Sequence, residues 1–222
     1  MVILRLSTVI VLALLVMLSS GFGGAEAQNA DSRGAQERDT DGPPGDFNAR
    51  LRGDYALTLS RDCWETSTGF DAAFRPLPTT PGVPFVFRRT LNADHGTVHY
   101  NGDGTATSVL RSIVIDNNQG LGSATAITSS ESNCAIGYSV DPDLSVAQTA
   151  TCTFQSTSAA GLSTGSVSIP ATRRQITQEG KVVLISSADI PSVETVTVDG
   201  SPVPTRYRIC TRTGVESRLQ GE

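Results

Sequence analysis

The sequence lacks the features that mark nucleic-acid-binding proteins. Aromatic residues make up 5% of its 222 residues, with a single tryptophan, and the formal net charge at pH 7 is −5. No block of basic residues occurs, and Lys181 is the only lysine. Because binding to a nucleic-acid backbone needs clustered positive charge, we predict no nucleic-acid partner.

The one long apolar run lies at the amino terminus. Arg5 precedes an unbroken apolar stretch from Val9 to Leu18, and Ala25 to Ala27 has small residues at the two positions that a signal peptidase reads. This three-part pattern is typical of a cleaved secretory signal peptide. The run is shorter than the ~20 residues that span a bilayer. We therefore predict a signal peptide at residues 1–27, no membrane span after its removal, and a secreted or periplasmic protein.

Large apolar side chains are almost missing from residues 28–48, which are rich in Gly, Pro, Asp and Arg. Such a segment buries too little surface to offset the entropy lost on ordering, so we predict a disordered leader. Residues 49–222 are numerous enough for a single domain with one core.

Helical periodicity is also missing after residue 53, where short runs rich in Thr, Ser and Val alternate between turn residues. The strongest hairpin signal is Asn101–Gly104, because Asn-Gly and Asp-Gly tolerate positive φ. Strands are predicted at 54–60, 83–90, 96–100, 105–116, 122–130, 134–140, 145–155, 165–170, 173–178, 181–186, 193–198 and 205–212. This order predicts an all-β fold, an antiparallel up-and-down barrel of about eight to ten strands, since closure removes exposed sheet edges.

Four cysteines in an exported chain imply disulfides, and three connectivities are open. Cys134 and Cys152 lie on consecutive predicted strands and can face each other. Cys63 follows the first strand and Cys210 lies in the last, and these strands are neighbours if the barrel closes. We predict the pairs Cys63–Cys210 and Cys134–Cys152, so the first pair and barrel closure depend on each other.

Several short motifs share the layout of a known group of barrels. A Gly-x-Tyr motif at 53–55 opens the first strand, a Gly-rich hairpin lies at 101–105, and an Asp-Pro-Asp turn joins two strands within 138–154. Arginines lie in the last strand. Over about residues 52–212 this layout resembles the calycin-like secreted barrels, the group that includes the lipocalins.

The resemblance implies a small apolar ligand inside the barrel. In lipocalins a Gly-x-Trp motif on the first strand packs beneath an arginine of the last strand and closes the base. Here Tyr55 stands where the tryptophan would be. The resemblance therefore implies barrel closure by Gly53, Tyr55, Arg206 and Arg208, and it carries over no ligand-binding residue.

No pattern in the sequence indicates a metal, a cofactor or a catalytic residue. His95 and His99 are four apart on a predicted strand, about 13 Å along it, which is too far for one metal. Asn92, Asp94 and Asp103 match positions of a calcium loop that lacks its central glycine. Asp62, Glu65 and Asp71 near Trp64 could perform acid–base work on a sugar, although a solvated loop explains them as well. We predict no catalytic residues.

Aromatic side chains concentrate in the irregular link between the first two predicted strands. They are Trp64, Phe70, Phe74, Phe85 and Phe87. Because long links are disproportionately functional, we predict a ligand-binding mouth there, with a plug of one barrel end as the alternative.

Three hypotheses for the function follow from these sequence patterns. The first is a non-enzymatic exported module that binds a small hydrophobic ligand. The second is an envelope or extracellular protein that contacts another protein or a polysaccharide through a Ser/Thr-rich face. The third is a small hydrolase or isomerase, which needs Asp62, Glu65 or a histidine to converge in one pocket.

Overall fold

The computed structural model describes residues 46–79, 81–82, 86–117, 126–177, 179–186 and 192–220. The predicted signal peptide and most of the predicted leader lie outside these residues. The structure does describe the end of the predicted leader. There Asp46 accepts a hydrogen bond from the Asn48 backbone N–H and caps a 3-10 helix at Phe47–Arg50. No helix in the described ranges is long and apolar enough to span a membrane.

The described chain forms nine antiparallel strands in one sheet. They are β1 (Arg52–Thr66), β2 (Phe87–Asn101), β3 (Thr105–Asn117), β4 (Ala126–Val140), β5 (Ser145–Ser158), β6 (Gly161–Ile176), β7 (Val182–Ser186), β8 (Val193–Val198) and β9 (Thr205–Arg218). Each strand from β1 to β6 pairs with the next, and β9 pairs with β1. β7 and β8 occupy successive parts of one position between β6 and β9. The ring confirms the predicted up-and-down barrel.

Several predicted short strands are parts of longer ones. Within the described residues, predicted strands 83–90 and 96–100 both overlap the single strand β2, and 165–170 and 173–178 both overlap β6. Gly96 does not interrupt β2, because it pairs with Leu57 on one side and Leu110 on the other. A Cβ at Gly96 would lie 2.0 Å from the Val109 carbonyl oxygen. The glycine therefore permits close approach of β2 and β3 instead of ending the strand.

Both predicted disulfides are present. Cys63 lies directly opposite Cys210 across the β1–β9 seam, with Cα atoms 4.1 Å apart. Cys134 lies opposite Cys152 across β4 and β5, with Cα atoms 4.0 Å apart. The first and last strands are therefore neighbours, as the barrel prediction required.

One end of the barrel is closed by tyrosines. The rings of Tyr55 and Tyr138 each meet Tyr100 edge to face, with centroids 5.2 Å and 5.1 Å away. Tyr55 donates a hydrogen bond to the Gly180 carbonyl, and Tyr138 donates one to the Leu51 carbonyl at 2.9 Å. This end of the interior is therefore filled with ordered aromatic side chains.

The tyrosine cluster predicts a distinct alkaline titration. Burial raises the pKa of Tyr100 well above 10, and burial also raises the pKa of Tyr55 and Tyr138. Because the folded-state pKa values exceed the unfolded value of about 10, these groups stabilise the fold below pH 10, and the contribution is lost as pH rises further. We expect their phenolate absorbance to appear only together with unfolding.

The measurement is an ultraviolet absorbance titration paired with circular dichroism, made on Tyr207→Phe so that the tyrosines left in the chain are the three of the cluster. The same chain in concentrated guanidinium chloride is the control, and there the three tyrosines should ionise at about pH 10. Phenolate formation by all three near pH 10 with an unchanged dichroism spectrum would contradict the prediction.

Candidate functional site

A cavity of about 480 Å³ lies inside the barrel. Part of its wall comes from inward-facing residues of β4, β5 and β6, which are mostly small or apolar, with the polar Gln148 and the charged Arg174 as exceptions. They include Ser130, Ser132, Ile136, Ala150, Phe154 and Val167. The serine and alanine side chains of this uncharged wall are short, and they leave room for a molecule.

The opposite wall is charged. Inward-facing arginines lie mainly on β1, β2 and β9, together with one on β6. The six that line the cavity are Arg61, Arg88, Arg174, Arg206, Arg208 and Arg212. Buried charges are costly without partners, so the carboxylates around them decide what the cavity presents to a ligand.

Two buried carboxylates hold arginines from β1 and β9. Asp94 accepts hydrogen bonds from Arg61 Nε at 2.6 Å and Nη2 at 2.7 Å, and from Ser112 Oγ at 2.5 Å. Glu194 accepts from Arg208 Nε at 2.6 Å and also pairs with Arg212. Both carboxylate side chains are fully buried. Glu194 therefore pairs with two arginines, whereas Asp94 pairs with one.

The remaining interior arginines pair with carboxylates at either end of the network. Glu65 lies 2.8 Å from Arg88 and 3.2 Å from Arg206. At the other end, Glu216 pairs with Arg174 and accepts a hydrogen bond from Tyr100 Oη at 2.7 Å. The charged wall is therefore continuous with the tyrosine cluster.

The guanidinium groups lie close enough to repel one another. Arg61 is directly opposite Arg212 in the β1–β9 register. Burial, followed by repulsion from Arg61, lowers the pKa of Arg208 to about 9. Burial and repulsion from Arg61 and Arg174 lower the pKa of Arg212 to about 9. Both groups stay protonated at neutral pH, but additional negative charge would stabilise them.

Some buried polar atoms of the cavity wall have no hydrogen-bond partner within the described residues. They are Asp116 Oδ1, Gln148 Oε1, Arg174 Nε and Arg206 Nε. All four residues line the cavity. Because an unsatisfied buried polar atom is costly, the polar packing of this wall is incomplete.

The described residues of the predicted aromatic mouth do not line this cavity. Trp64 lies on β1 with its side chain outward, and its ring stacks on Phe87 with centroids 5.3 Å apart. Phe70 forms a bridge with Pro76, and Phe74 is exposed in the link after β1. Phe85 lies outside the described residues. The structure thus brings Trp64 and Phe87 together on the exterior.

The predicted closure residues do not meet either. Tyr55 lies opposite Arg218, whereas Arg208 lies opposite Glu65 near the other end of β1. The predicted last strand ended at 212, but β9 continues to Arg218, whose guanidinium lies 3.8 Å from the position of a Cβ at Gly53. Arg206 and Arg208 therefore belong to the charged wall of the cavity and not to the closed end.

The candidate acid–base residues point in different directions. Asp62 faces outward and pairs with Arg89, Glu65 faces inward, and Asp71 pairs with Arg75 in the link. His95 and His99 are exposed on β2. Within the described ranges, no group of three or more His, Cys, Asp or Glu residues could hold a metal ion. The residues that give the site its chemical character are therefore the arginines of the charged wall.

The inward positions of Arg61, Arg88, Arg174 and Arg212 were not predicted from the sequence, because arginine is rarely fully buried unless it is paired. The signal that reveals Arg212 is Cys210. Its disulfide partner Cys63 is fully buried, so residues two and four positions from Cys210 share the inward face.

No protein-family model matches this sequence, and no curated protein matches it significantly.

Proposed function

We propose that this protein is an exported, non-enzymatic barrel that binds a small molecule in its interior. The cavity of about 480 Å³ carries the proposal. Its volume is within the ~300–1,000 Å³ typical of small-molecule sites. The two disulfides are consistent with an oxidising extracellular or periplasmic compartment.

The uncharged wall supports an apolar portion in that ligand. Ile136, Phe154, Val167 and Ile169 line the cavity. Each can bury ligand surface, worth about 25 cal/mol per Å² of apolar area removed from water. The layout that resembles the calycin-like barrels supports the same small-ligand proposal.

A second candidate is an interaction protein that binds through the outside of the barrel. Leu91, Ile115 and Ile127 are directly opposed on β2, β3 and β4. Their exposed fractions are 42%, 37% and 66%. A contiguous apolar row on an outer face favours contact with another macromolecule.

A cavity-filling variant separates the two candidates. Ser132 lines the cavity, and Ser132→Phe adds an aromatic ring inside it, whereas Ser139→Phe adds the same ring at an exposed position of β4. We expect native mass spectrometry of the exported wild type to show a bound mass of about a few hundred daltons. The bound mass should be lost in Ser132→Phe and retained in Ser139→Phe.

The result that would reject the cavity proposal is equal occupancy in both variants. If neither variant nor the wild type carries or takes up any small molecule, the interaction candidate is favoured. Thermal unfolding of both variants is the control that the barrel is intact.

A further inference from the structure

The charged wall presents guanidinium groups to the cavity, and part of the negative charge of this wall lies behind those groups. Arg61, Arg208 and Arg212 line the cavity, but Asp94 and Glu194, the carboxylates that pair with them, do not. A molecule in this part of the cavity therefore meets positive charge and hydrogen-bond donors.

The interior charges of the described residues are not balanced. Six inward-facing arginines line the cavity. The inward-facing carboxylates that pair with them are Glu65, Asp94, Asp116, Glu194 and Glu216. Within the described part of the barrel, one positive charge is therefore in excess, in an interior where charge is poorly solvated.

Two donors without an acceptor also lie in the cavity wall, beside the unsatisfied acceptors Asp116 Oδ1 and Gln148 Oε1. Arg174 Nε and Arg206 Nε have no hydrogen-bond acceptor among the described residues. Repulsion from Arg174 lowers the pKa of Arg212. Arg212 also lies directly opposite Arg61 in the β1–β9 register. These three guanidinium groups come from β6, β9 and β1, so they surround one side of the cavity.

We propose that the cavity binds an organic acid, a molecule with one anionic group of carboxylate or sulfonate type and an uncharged body. Arg61, Arg174 and Arg212 hold the anionic group, because guanidinium groups bind planar oxyanions through charge-assisted hydrogen bonds. The body packs against the uncharged wall at Ile136 and Phe154. This inference rests on the proposed function and adds the chemical class of the ligand.

Two fluorescent probes with the same aromatic skeleton test the proposal. 1-Anilinonaphthalene-8-sulfonate carries one sulfonate, and N-phenyl-1-naphthylamine is its uncharged counterpart. We expect the wild type to bind the sulfonate at least about tenfold more tightly than the uncharged probe, as measured by fluorescence titration. Ser132→Phe should abolish binding of both probes, and Ser139→Phe should not.

Arg212→Gln tests the residue assignment. Glu194 keeps its bond to Arg208 in this variant, so the barrel should remain folded. We expect sulfonate affinity to fall about tenfold while the affinity for the uncharged probe is unchanged. Arg89→Gln is the matched control, because Arg89 pairs with Asp62 outside the barrel and does not line the cavity. If Arg212→Gln does not fold, the comparison of the two probes on the wild type decides.

The possible outcomes separate this inference from the proposed function. Equal affinity for the two probes, both blocked by Ser132→Phe, would overturn the organic-acid inference and leave the cavity proposal standing. Probe binding that survives Ser132→Phe, or no binding of either probe, would overturn both. Preferential sulfonate binding that Arg212→Gln weakens and Arg89→Gln does not would support both.

Discussion

Replacing Glu194 by alanine is expected to lower the free energy of unfolding by about 3–5 kcal/mol, the cost of breaking a buried ion pair from one side. Glu194 is fully buried and serves both Arg208 and Arg212. Its loss leaves the Arg208 guanidinium buried without the carboxylate that accepts its Nε hydrogen bond. Urea denaturation followed by circular dichroism measures the change.

The matched control is Glu131→Ala. Glu131 lies 3.5 Å from Arg111 on the exterior, and both side chains are more than half exposed. Such surface pairs contribute about 0–1 kcal/mol. A loss for Glu194→Ala no larger than that for Glu131→Ala would contradict the assignment of Glu194 to a buried charge network.

Removing the seam disulfide should destabilise the protein more than removing the hairpin disulfide. Cys63 and Cys210 are 147 positions apart in sequence, whereas Cys134 and Cys152 are 18 apart. In the loop-entropy model these separations correspond to about 5 and about 3 kcal/mol of stability, because a longer loop leaves the unfolded chain more freedom to regain.

The paired Cys→Ser double variants provide the measurement, each serving as the control for the other. The free energy of unfolding should fall by about 2 kcal/mol more for Cys63→Ser with Cys210→Ser than for Cys134→Ser with Cys152→Ser. An equal loss, or a larger loss at the hairpin, would show that strain or residual structure outweighs loop entropy here.

The strand order and the disulfides could be predicted from the sequence because they depend on local signals. The Asn101–Gly104 turn and the spacing of Cys134 and Cys152 each need only a hairpin. The pairing of Cys63 with Cys210 followed from closure, since a ring makes the first and last strands neighbours. The merging of strands at Gly96 could not be predicted, because it depends on the approach of the Val109 carbonyl.

The cavity wall could not be predicted from alternation alone, because alternation shows which residues share a face but not which face is inside. On β9, Tyr207 and Ile209 are the apolar alternatives to Arg206 and Arg208. The usual preference for buried apolar residues selects the wrong face here, since partner carboxylates on other strands compensate the buried arginines. Those carboxylates lie 14 or more positions away on other strands, so no pattern within one strand reveals them.

The candidate ligand mouth illustrates the same dependence on tertiary structure. The predicted first strand ends at Ser60, which puts Trp64 in the link after it. In the barrel, β1 continues to Thr66 because both neighbours, β2 and β9, pair with it there. Strand pairing on two sides thus extends β1 and turns Trp64 to the exterior.

The ring topology also orders the steps by which the chain can fold. From β1 to β6 each strand pairs with the next along the chain, so these pairings close short loops and can form early. The β1–β9 seam joins the first and last strands of the barrel and must wait until β9 has been synthesised. Oxidation of Cys134 and Cys152 requires only a hairpin, whereas oxidation of Cys63 and Cys210 marks the completion of the barrel.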